Sequence, residues 1–492
     1  MFRSVVEAVF YHAENTPDKL CLADETRSVT YSQYKNEICK MSSALISLGV
    51  NKSDRVLVEA SQTVSYLALE LAIQLIGAVF VPVERNCAWN KIARLISSSS
   101  PKLVVTIKPA QEEVSVKTTT LTEFVESASS CDEYIVEEFP DSADISEILF
   151  STGTTGAEKG IVISHDNNIA LAENVMYGVK MLEDNVEMIP SPLNHSHGLR
   201  RYYGNMVKGA TVILITGAMN VLKFFQMMDE YKVNSLDLVP TALSVLLKLS
   251  KNKFADYKDV IRYIQFGSAP LVAADMESIK SMLPNTRLYN FYGSTESGCI
   301  CIYDFNTDKD KPKCIGKPAH NVKIVIVDED RNKIESSKDN TGLVASFGRM
   351  NMLGYWNDEE ETRKAMADGF IYSNDEAYFD EDGDIILLGR KGDVINTGGN
   401  KVSPEEIEEA ARKHASVADC GCIGVADSMK GSVPKLFVQI KDGYEFEPIS
   451  LRTHLSSLLE PYKVPEYIVQ IDKIPRSFNG KILRRVLKET DV

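Results

Sequence analysis

The chain is poor in the features that mark membrane and nucleic-acid-binding proteins. Its longest apolar stretch runs from residue 67 to residue 83 and is interrupted by Glu70, Gln74, Gly77 and Pro82. Such a stretch predicts a buried helix followed by a strand, and no membrane span. The formal charge of −15 argues against a nucleic-acid surface, although an acidic protein can still bind an anion at a local basic site.

Cysteine is also sparse. The nine cysteines are an odd number and lie scattered along the chain. Two Cys-x-Cys pairs, Cys299/Cys301 and Cys420/Cys422, lie in strand-like runs in which both side chains of a pair share one face. This arrangement favours reduced cysteines in the core over a zinc site.

Length and composition predict a globular protein of at least two domains, since 492 residues with 44% hydrophobic content can build sizeable cores. The first ten residues carry Glu7 inside a short apolar run and lack the plan of a signal peptide. We therefore expect a cytosolic protein.

No Walker loop is present, which would need Gly, four residues and then Gly-Lys-Ser/Thr opening a helix. The chain has instead a loop dense in glycine and hydroxyl groups, Ser151-Thr-Gly-Thr-Thr-Gly-Ala-Glu-Lys-Gly160. Gly153 and Gly156 let the backbone adopt φ > 0, so that successive N–H groups can converge on an anion. The other donors are Lys159 and the hydroxyls of Ser151, Thr152, Thr154 and Thr155. The loop predicts a clamp for a polyphosphate; the alternative is an ordinary Gly/Thr turn.

The segments that flank this loop separate it from a kinase or GTPase loop. Residues 144–151 and 160–164 are strand-like runs, so the loop is predicted to join two strands. A helix follows only later, with Asp166 or Asn167 available as its cap.

Six motifs in chain order resemble those of the adenylate-forming superfamily, which contains acyl-CoA synthetases, luciferases and the adenylation domains of nonribosomal peptide synthetases. The loop at 151–160 resembles the phosphate-binding signature of that superfamily. The other five are Phe291-Tyr-Gly-Ser-Thr-Glu-Ser-Gly298, Tyr372-Ser-Asn-Asp375, Gly389-Arg390, Gly398-Gly399 through Pro404-Glu-Glu-Ile407, and Pro475-Arg-Ser-Phe-Asn-Gly-Lys481. Their order identifies the chain as an acyl-CoA synthetase-like member.

Strand-length apolar runs alternate with helical stretches from residue 55 to residue 291, which predicts a layered α/β body with parallel strands. Residues 109–144 are acidic and rich in Ser and Thr, and we expect them to form a surface connection. After Pro318 the pattern is mainly strands and predicts a β subdomain. We expect an N-terminal domain over 1–390 that binds ATP and the acid, and a small mobile α+β lid domain over 391–492.

The resemblance implies catalytic roles for three residues. Lys481 is similar to the family's catalytic lysine, Glu296 to its Mg²⁺-associated glutamate, and Thr295 to its α-phosphate contact. The residue types agree with this, because joining a carboxylate to ATP brings two anions together, and Mg²⁺ prefers carboxylate oxygen. Without the motifs, Glu296 would be a surface charge in a turn and Lys481 a solvated lysine on a basic tail.

Nucleotide contacts are implied in the same way. Tyr292 is similar to the aromatic residue that packs against adenine, with Gly293 and Ser294 following it. The loop that lines the base corresponds to Gly267, Ser268, Ala269 and Pro270.

Asp375 and Arg390 are similar to the residues that bind the ribose hydroxyls. The chain departs from the family here, with Ser373 in place of the usual threonine and Asn374 in place of the usual glycine. We expect a turn at this point, which asparagine tolerates because it accepts φ > 0.

His195, in Pro192-Leu-Asn-His-Ser-His-Gly198, is similar to a family histidine beside the acyl site. His195 and His197 could suggest a metal, but no cysteine or acidic cluster accompanies them. The same segment offers no aspartate to pair with an α-amino group, which disfavours an amino acid substrate.

Arg200 and Arg201 follow in a segment that resembles the helix bordering the acyl tunnel. An arginine that faced inward would select an acid with a second carboxylate. We expect a solvated helix face instead.

Two further features concern the C-terminal part. The resemblance implies that Gly398 and Gly399 line the thiol channel. Gly392 follows Arg390 by two residues, where the family's pivot residue is usually Asp or Lys. Because glycine can absorb a large φ/ψ change, we expect a hinge there.

The function implied is an ATP- and Mg²⁺-dependent ligase that activates a fatty or aryl carboxylic acid as acyl-AMP and transfers it to coenzyme A. The alternatives are transfer to the phosphopantetheine of a carrier protein, and a nucleotide-binding member without turnover. The presence of both Glu296 and Lys481 argues against the last.

Overall fold

The structure is a computed structural model that describes residues 2–110, 114–152, 158–267, 271, 273–306, 311, 313–397, 400–476 and 482–490. Among these residues no helix is long and apolar enough to cross a membrane.

Helices are distributed along the whole chain. The α-helices are α1 Val5–Asn15, α2 Tyr31–Ser47, α3 Val64–Leu75, α4 Trp89–Ser99, α5 Leu121–Ser129, α6 His165–Gly178, α7 Ser196–Lys208, α8 Val221–Tyr231, α9 Pro240–Ser250, α10 Ala273–Met282, α11 Glu359–Ala365, α12 Pro404–Arg412, α13 Pro448–Leu458 and α14 Arg484–Lys488. Short 3₁₀ helices lie at Lys253–Tyr257 and Pro461–Lys463.

Strands alternate with these helices in the first half and dominate after residue 285. They are β1 Leu20–Ala23, β2 Ser28–Thr30, β3 Arg55–Glu59, β4 Val79–Val83, β5 Leu103–Thr106, β6 Lys117–Thr120, β7 Ile145–Thr152, β8 Glu158–Ser164, β9 Val186–Ile189, β10 Thr211–Leu214, β11 Ser235–Leu238, β12 Tyr263–Gly267, β13 Arg287–Ser294, β14 Gly298–Asp304, β15 Cys314–Pro318, β16 Val322–Val327, β17 Gly342–Gly348, β18 Gly354–Tyr355, β19 Met366–Ala367, β20 Phe370–Phe379, β21 Ile385–Arg390, β22 Ile395–Thr397, β23 Asn400–Val402, β24 Val417–Asp427, β25 Gly431–Ile440 and β26 Tyr467–Gln470.

The chain forms two compact units. Unit 1 consists of Met1–Asp310, Lys317–Ile324 and Ser346–Ile371, and unit 2 of Lys311–Gly316, Val325–Ala345 and Tyr372–Val492. The predicted mixed α/β fold with a large N-terminal and a smaller C-terminal domain is confirmed. The boundary at residue 390 stays a prediction.

Unit 1 contains two sheets with parallel strands, as the alternation of helices and strands predicts. In one, β18-β8-β7-β4-β3-β5-β6 lie in that order, with β4, β3, β5 and β6 parallel. In the other, the order is β14-β13-β12-β11-β9-β10-β1-β2, and the strands from β13 to β1 are parallel.

The order of the second sheet reverses at β9, because β10 pairs on one side of β9 and β11 on the other. In open parallel sheets the crevice outside the carboxyl ends of the strands at such a reversal is where ligands bind. The segment Pro192-Leu-Asn-His-Ser-His-Gly198 begins three residues after β9 ends. The topology therefore places the predicted acyl motif at this crevice.

Unit 2 combines two groups of strands. The group β16-β17-β20-β21-β15, drawn largely from unit 2, is the predicted β subdomain. The second is β23-β22-β25-β24, with β26 beside β25, and α12 and α13 pack on it. Pro404 occupies the first turn of α12, and the Ser403 hydroxyl donates to Glu405 at 2.8 Å and does not cap the backbone.

Two local expectations are wrong. The stretch 109–144 is not a plain connection, because β6 pairs parallel with β5 and α5 buries Phe124. The cap of α6 is neither Asp166 nor Asn167: the Ser164 hydroxyl accepts from the Asn167 N–H, and the Asn167 side chain accepts from the Ser164 N–H. This reciprocal capping box satisfies two free donors, which a single cap cannot do.

The four cysteines of the Cys-x-Cys pairs lie buried in β14 and β24 and form no disulfide, in agreement with their predicted place in the core. The helix predicted within residues 67–83 is α3, and it carries a buried acid.

Three buried side chains of unit 1 share protons. The hydroxyl of Tyr203 lies 2.5 Å from Oε1 of Glu70 and 2.6 Å from Oε2 of Glu147. Because a hydroxyl carries one proton, it can donate to only one carboxyl group, and the other must be protonated to donate to it. Burial, with the neighbouring Glu147, raises the pKa of Glu70 well above its ordinary value, and burial raises the pKa of Glu147 to about 7.

This cluster predicts how stability depends on pH. Between the unfolded pKa near 4.5 and the raised folded values, the native state holds protons that the unfolded state releases, so stability falls as pH rises by about 1.4 kcal/mol per pH unit for each proton. Glu70→Gln stays neutral and should raise the melting temperature at about pH 8 but not at about pH 5.5, measured by thermal unfolding. Glu126→Gln, on the exposed face of α5, is the matched control. Equal behaviour of the two variants at pH 8 would contradict the shared proton.

Candidate active site

The two segments that flank the predicted phosphate loop are strands, as expected. β7 and β8 are antiparallel, with Ser151 opposite Lys159 and Thr152 opposite Glu158, so the loop does join two strands. The loop itself, with Gly153, Thr154, Thr155 and Gly156, lies outside the described residues.

A tight hairpin carries the Tyr-Gly-Ser-Thr-Glu motif. β13 pairs antiparallel with β14, and Thr295, Glu296 and Ser297 form the turn between them. A Cβ on Gly293 would lie 1.8 Å from the carbonyl oxygen of Gly298, so only glycine allows the two strands to approach this closely. The Ser294 and Ser297 hydroxyls lie 3.1 Å apart, and each also accepts from the backbone N–H of the other residue.

The structure brings Glu296 and Lys159 together around Tyr355. The Tyr355 hydroxyl donates to Oε1 of Glu296 at 3.0 Å, and the Lys159 ammonium lies 5.1 Å from the centre of the Tyr355 ring. The Met352 N–H donates to the Glu296 carbonyl at 2.8 Å, which holds the turn against the segment carrying Tyr355. Lys159 also pairs with Glu361.

The charges of this cluster act on one another. Burial, followed by the Glu296 carboxylate, raises the pKa of Tyr355, so its hydroxyl stays protonated and remains a donor. The Lys159 ammonium lowers the pKa of Glu361 to about 2. Tyr355 and Glu361 were not predicted from the sequence. Tyr355 comes close to Lys159 because β18 pairs with β8. A strand of only two residues, such as β18, leaves no recognisable pattern in the sequence.

The acyl motif lies at the crevice of the second sheet. His195 precedes the first residue of α7, is half-buried, and has Nε2 3.3 Å from Nδ2 of Asn194. Burial lowers the pKa of His195, so the ring is neutral at pH 7. A neutral ring is compatible with the predicted pocket wall.

A buried polar chain crosses the same crevice. The Arg200 guanidinium donates from Nη2 to Nδ1 of His197 at 2.6 Å. Nε2 of His197 lies 2.9 Å from Oδ1 of Asp237, outside hydrogen-bond alignment, so this contact is electrostatic. The Ser191 hydroxyl donates to the other carboxylate oxygen of Asp237 at 2.6 Å. The sequence did not predict Ser191, which follows β9, or Asp237, which lies within β11.

The prediction of a solvated face for Arg200 and Arg201 is wrong. Arg200 is 5% exposed and Arg201 is fully buried. Nη2 of Arg201 lies 2.7 Å from Oε1 of Glu187, and Tyr263 and Asn205 donate to the other oxygen of Glu187. The helix turns these arginines inward because Glu187, in β9, supplies the compensating charge.

Gly267, the last residue of β12, borders this polar chain. A Cβ at Gly267 would lie 2.8 Å from Cε1 of His197 and 3.0 Å from Nη2 of Arg200. Gly267 is paired with Phe291 of β13, the residue before Tyr292, which is half-buried. Ser268, Ala269 and Pro270 lie outside the described residues.

In unit 2, Asp375 and Arg390 face each other across β20 and β21, with Nε 3.4 Å from Oδ1. The expected turn is wrong: residues 372–375 lie inside β20, and Asn374 does not have a positive φ. The strand persists because the Asn374 carbonyl accepts from the Lys391 N–H at 2.7 Å.

Gly392 has φ of +89° with open space around its Cα, and its carbonyl accepts from Lys488 of α14 at 3.2 Å. Gly398, Gly399 and Lys481 lie outside the described residues.

The residues on either side of the 477–481 segment are anchored within unit 2. Arg476 donates to both carboxylate oxygens of Asp419 at 2.8 and 2.6 Å. Arg484 donates to the buried Glu408 at 2.8 Å. These ion pairs fix both ends of the segment that contains Lys481.

Comparison with protein families identifies the chain. Residues 9–356 match the AMP-binding enzyme family, and residues 406–481 match the AMP-binding enzyme C-terminal domain. The chain belongs to the AMP-binding enzyme family, as an acyl-CoA synthetase-like member of the adenylate-forming superfamily. The resemblance carried by the six motifs is confirmed.

Its curated relatives include CoA ligases. A long-chain-fatty-acid–CoA ligase of Bacillus subtilis (strain 168) is 30% identical over 351 residues, which are 71% of this chain and 62% of the relative. A 4-coumarate–CoA ligase-like 1 protein of Arabidopsis thaliana is 25% identical over 488 residues, 94% of this chain and 89% of the relative.

Solved structures share the fold over its whole length. ATP-bound MatB from Rhodopseudomonas palustris superimposes with a TM-score of 0.89 at 24% identity, covering 99% of each chain. The O-succinylbenzoate coenzyme A synthetase (MenE) of Bacillus subtilis, in complex with ATP and a magnesium ion, has a TM-score of 0.85 at 22% identity, covering 98% of this chain and 99% of that one.

Proposed function

We propose that the chain is an ATP-dependent acid–thiol ligase that activates a carboxylic acid as acyl-AMP and transfers the acyl group to coenzyme A. The observation that carries the proposal is the cluster in which Glu296 and Lys159 meet at Tyr355. These residues come from the two loops whose motifs imply contact with a triphosphate. Relatives named as CoA ligases support coenzyme A as the thiol.

In the first half-reaction an oxygen of the acid attacks the α-phosphorus of ATP, the bond to the bridging oxygen breaks, and pyrophosphate leaves. Two anions meet in this step, so positive charge beside the phosphates lowers the barrier. Lys159 supplies such a charge at the phosphate loop. In the second half-reaction the thiol sulfur attacks the acyl carbon, its proton leaves, and AMP is released.

Glu296 fits Mg²⁺. Its carboxylate is half-buried, and the one hydrogen bond it accepts from the described residues is that of Tyr355 on Oε1. Carboxylate oxygen is the ligand a hard cation prefers. When bound, Mg²⁺ supplies charge neutralisation of the phosphates. The Tyr355 hydroxyl holds the Glu296 carboxylate in one orientation.

The C-terminal residues keep the roles implied by their motifs. Asp375 and Arg390 bind the ribose hydroxyls, Lys481 supplies an ammonium to the acyl carboxylate and the phosphate, and Gly392 is the hinge. Gly398 and Gly399 line the thiol channel.

The acid is of fatty or aryl type, and the thiol is coenzyme A. A carrier-protein phosphopantetheine is the alternative thiol, and a mass-spectrometric assay with each thiol separates the two. A nucleotide-binding member without turnover would release no pyrophosphate with any acid. We propose that the reaction takes place in the cytosol.

Replacing Glu296 by alanine should lower the adenylation rate by roughly two to three orders of magnitude, because a partner of the transition-state charge is lost. Tyr355→Phe keeps the ring beneath Lys159 and loses only the hydrogen bond, so we expect a smaller loss of about tenfold. Both are measured by ATP–pyrophosphate exchange at saturating Mg²⁺. Unchanged exchange in Glu296→Ala would refute the assigned role.

Lys481→Ala should separate the half-reactions. The ammonium is needed when two anions meet but not when a thiol meets the mixed anhydride. We expect acyl-AMP formation to be nearly abolished, and thioester formation from supplied acyl-AMP and coenzyme A to stay within about tenfold of wild type. A variant equally impaired in both assays would show that the lysine acts through folding or in both steps.

Gly392→Pro tests the hinge with the same two assays. Proline is held near φ of about −65° and cannot adopt the +89° seen at Gly392. We expect thioester formation to slow more than adenylation. Equal losses in both half-reactions would exclude a pivot at this residue.

A further inference from the structure

Arg200 carries a buried positive charge, and its neighbours do not satisfy all of its hydrogen-bond donors. Its side chain is 5% exposed, and Nη2 makes the hydrogen bond to His197. Nε is buried and has no hydrogen-bond partner among the described residues. A buried charge without full compensation is costly and is usually retained for binding or catalysis.

Among the described residues, Arg201 has a carboxylate partner that Arg200 lacks, although Nη1 and Nη2 of Arg201 also have no hydrogen-bond partner there. Arg201 forms an ion pair with Glu187, which other side chains also hold. Within the part of the chain that the structure describes, Arg200 forms no ion pair with a carboxylate. The acid nearest to this network, Asp237, is held by His197 and Ser191.

Arg200 lies where a ligand of this sheet would lie. Its Nη2 is 3.0 Å from the position of a Cβ on Gly267, and its guanidinium is 5.9 Å from the centre of the Phe291 ring. Both residues stand toward the carboxyl ends of parallel strands, the edge at which such sheets bind ligands. Because residue 267 is a glycine, it places no side chain of its own against the guanidinium.

We propose that Arg200 binds a second carboxylate of the acid substrate, so that the enzyme prefers dicarboxylic acids. This rests on the proposed function. The planar guanidinium presents paired N–H donors that match a carboxylate, and Nε is one of the free donors. A nucleotide phosphate has the same anionic oxygens. We assign the carboxylate because Arg200 lies on α7, which opens at the acyl motif, whereas Lys159 serves the phosphate loop.

The test compares acids that differ only at the far end. ATP–pyrophosphate exchange is measured for hexanoate against adipate, and for 3-phenylpropanoate against 3-(4-carboxyphenyl)propanoate. We expect wild type to prefer the dicarboxylate of at least one pair. Arg200→Leu should lower kcat/KM for that dicarboxylate by about 10- to 100-fold, raise it for the monocarboxylate, and leave the KM for ATP unchanged.

Controls separate this role from folding and from phosphate binding. Arg94→Leu, on the exposed face of α4, should change neither acid. Arg200→Lys keeps the charge and should retain part of the preference. If Arg200→Leu does not fold, the wild-type panel and Arg200→Lys still decide.

Three outcomes overturn the proposal. A wild type that exchanges pyrophosphate only with monocarboxylates overturns it while the proposed function stands. If Arg200→Leu raises the KM for ATP, and does so equally with both acids, the arginine binds a phosphate of the nucleotide instead. No exchange with any acid overturns the proposed function as well.

Discussion

The reversal of strand order at β9 is the constraint that positions residues 192–198, the segment predicted to border the acyl site. β10 and β11 lie on opposite sides of β9, so the connections from the two sides of β9 diverge. The chain that leaves β9 therefore lies in the crevice at the carboxyl edge of the sheet. That part of the chain contains the acyl motif and leads into α7. The first turns of the helix place His197 beside Asp237 of β11, and Arg200 beside Gly267 of β12 and Phe291 of β13.

Placing polar groups at this edge obliges the protein to compensate charge in its interior. Asp237 is contacted by Ser191 and His197, and Glu187 forms an ion pair with Arg201 and accepts from three neutral donors. An unpaired buried polar group loses its hydrogen bonds to water and gains none from the protein. Such networks are therefore most stable when their members are paired. Several atoms of this network lack a hydrogen-bond partner among the described residues, and what sets Arg200 apart from Arg201 is that it has no ion pair with a carboxylate there.

Features set by local chemistry could be predicted from the sequence. The two strands that flank the predicted phosphate loop, and most other strands, depend on apolar patterns within a few residues. Tyr355 could not, because it acts on Glu296 across 59 residues and through a two-residue strand. Strand register likewise decided the backbone of Asn374, which was expected in a turn.

The inward face of α7 shows the same limit. In the sequence, Arg200-Arg-Tyr-Tyr203 resembles a solvated helix face. Only the fold shows that Glu187 lies beside Arg201 and compensates its charge. The interleaving of unit 2 residues with unit 1 residues around positions 311–345 is also a long-range property of the fold. Composition gives no sign of it.

The ion pair of Arg201 has a consequence for its neighbour. Successive residues of a helix point about 100° apart, so anchoring one side chain fixes the direction of the next. With Arg201 bound to Glu187 in the core, α7 cannot rotate about its axis, and Arg200 is aimed toward Gly267 whatever ligand is present. The direction of the Arg200 side chain is therefore preset, and a change at Glu187 alone would release it without altering any residue at the crevice edge.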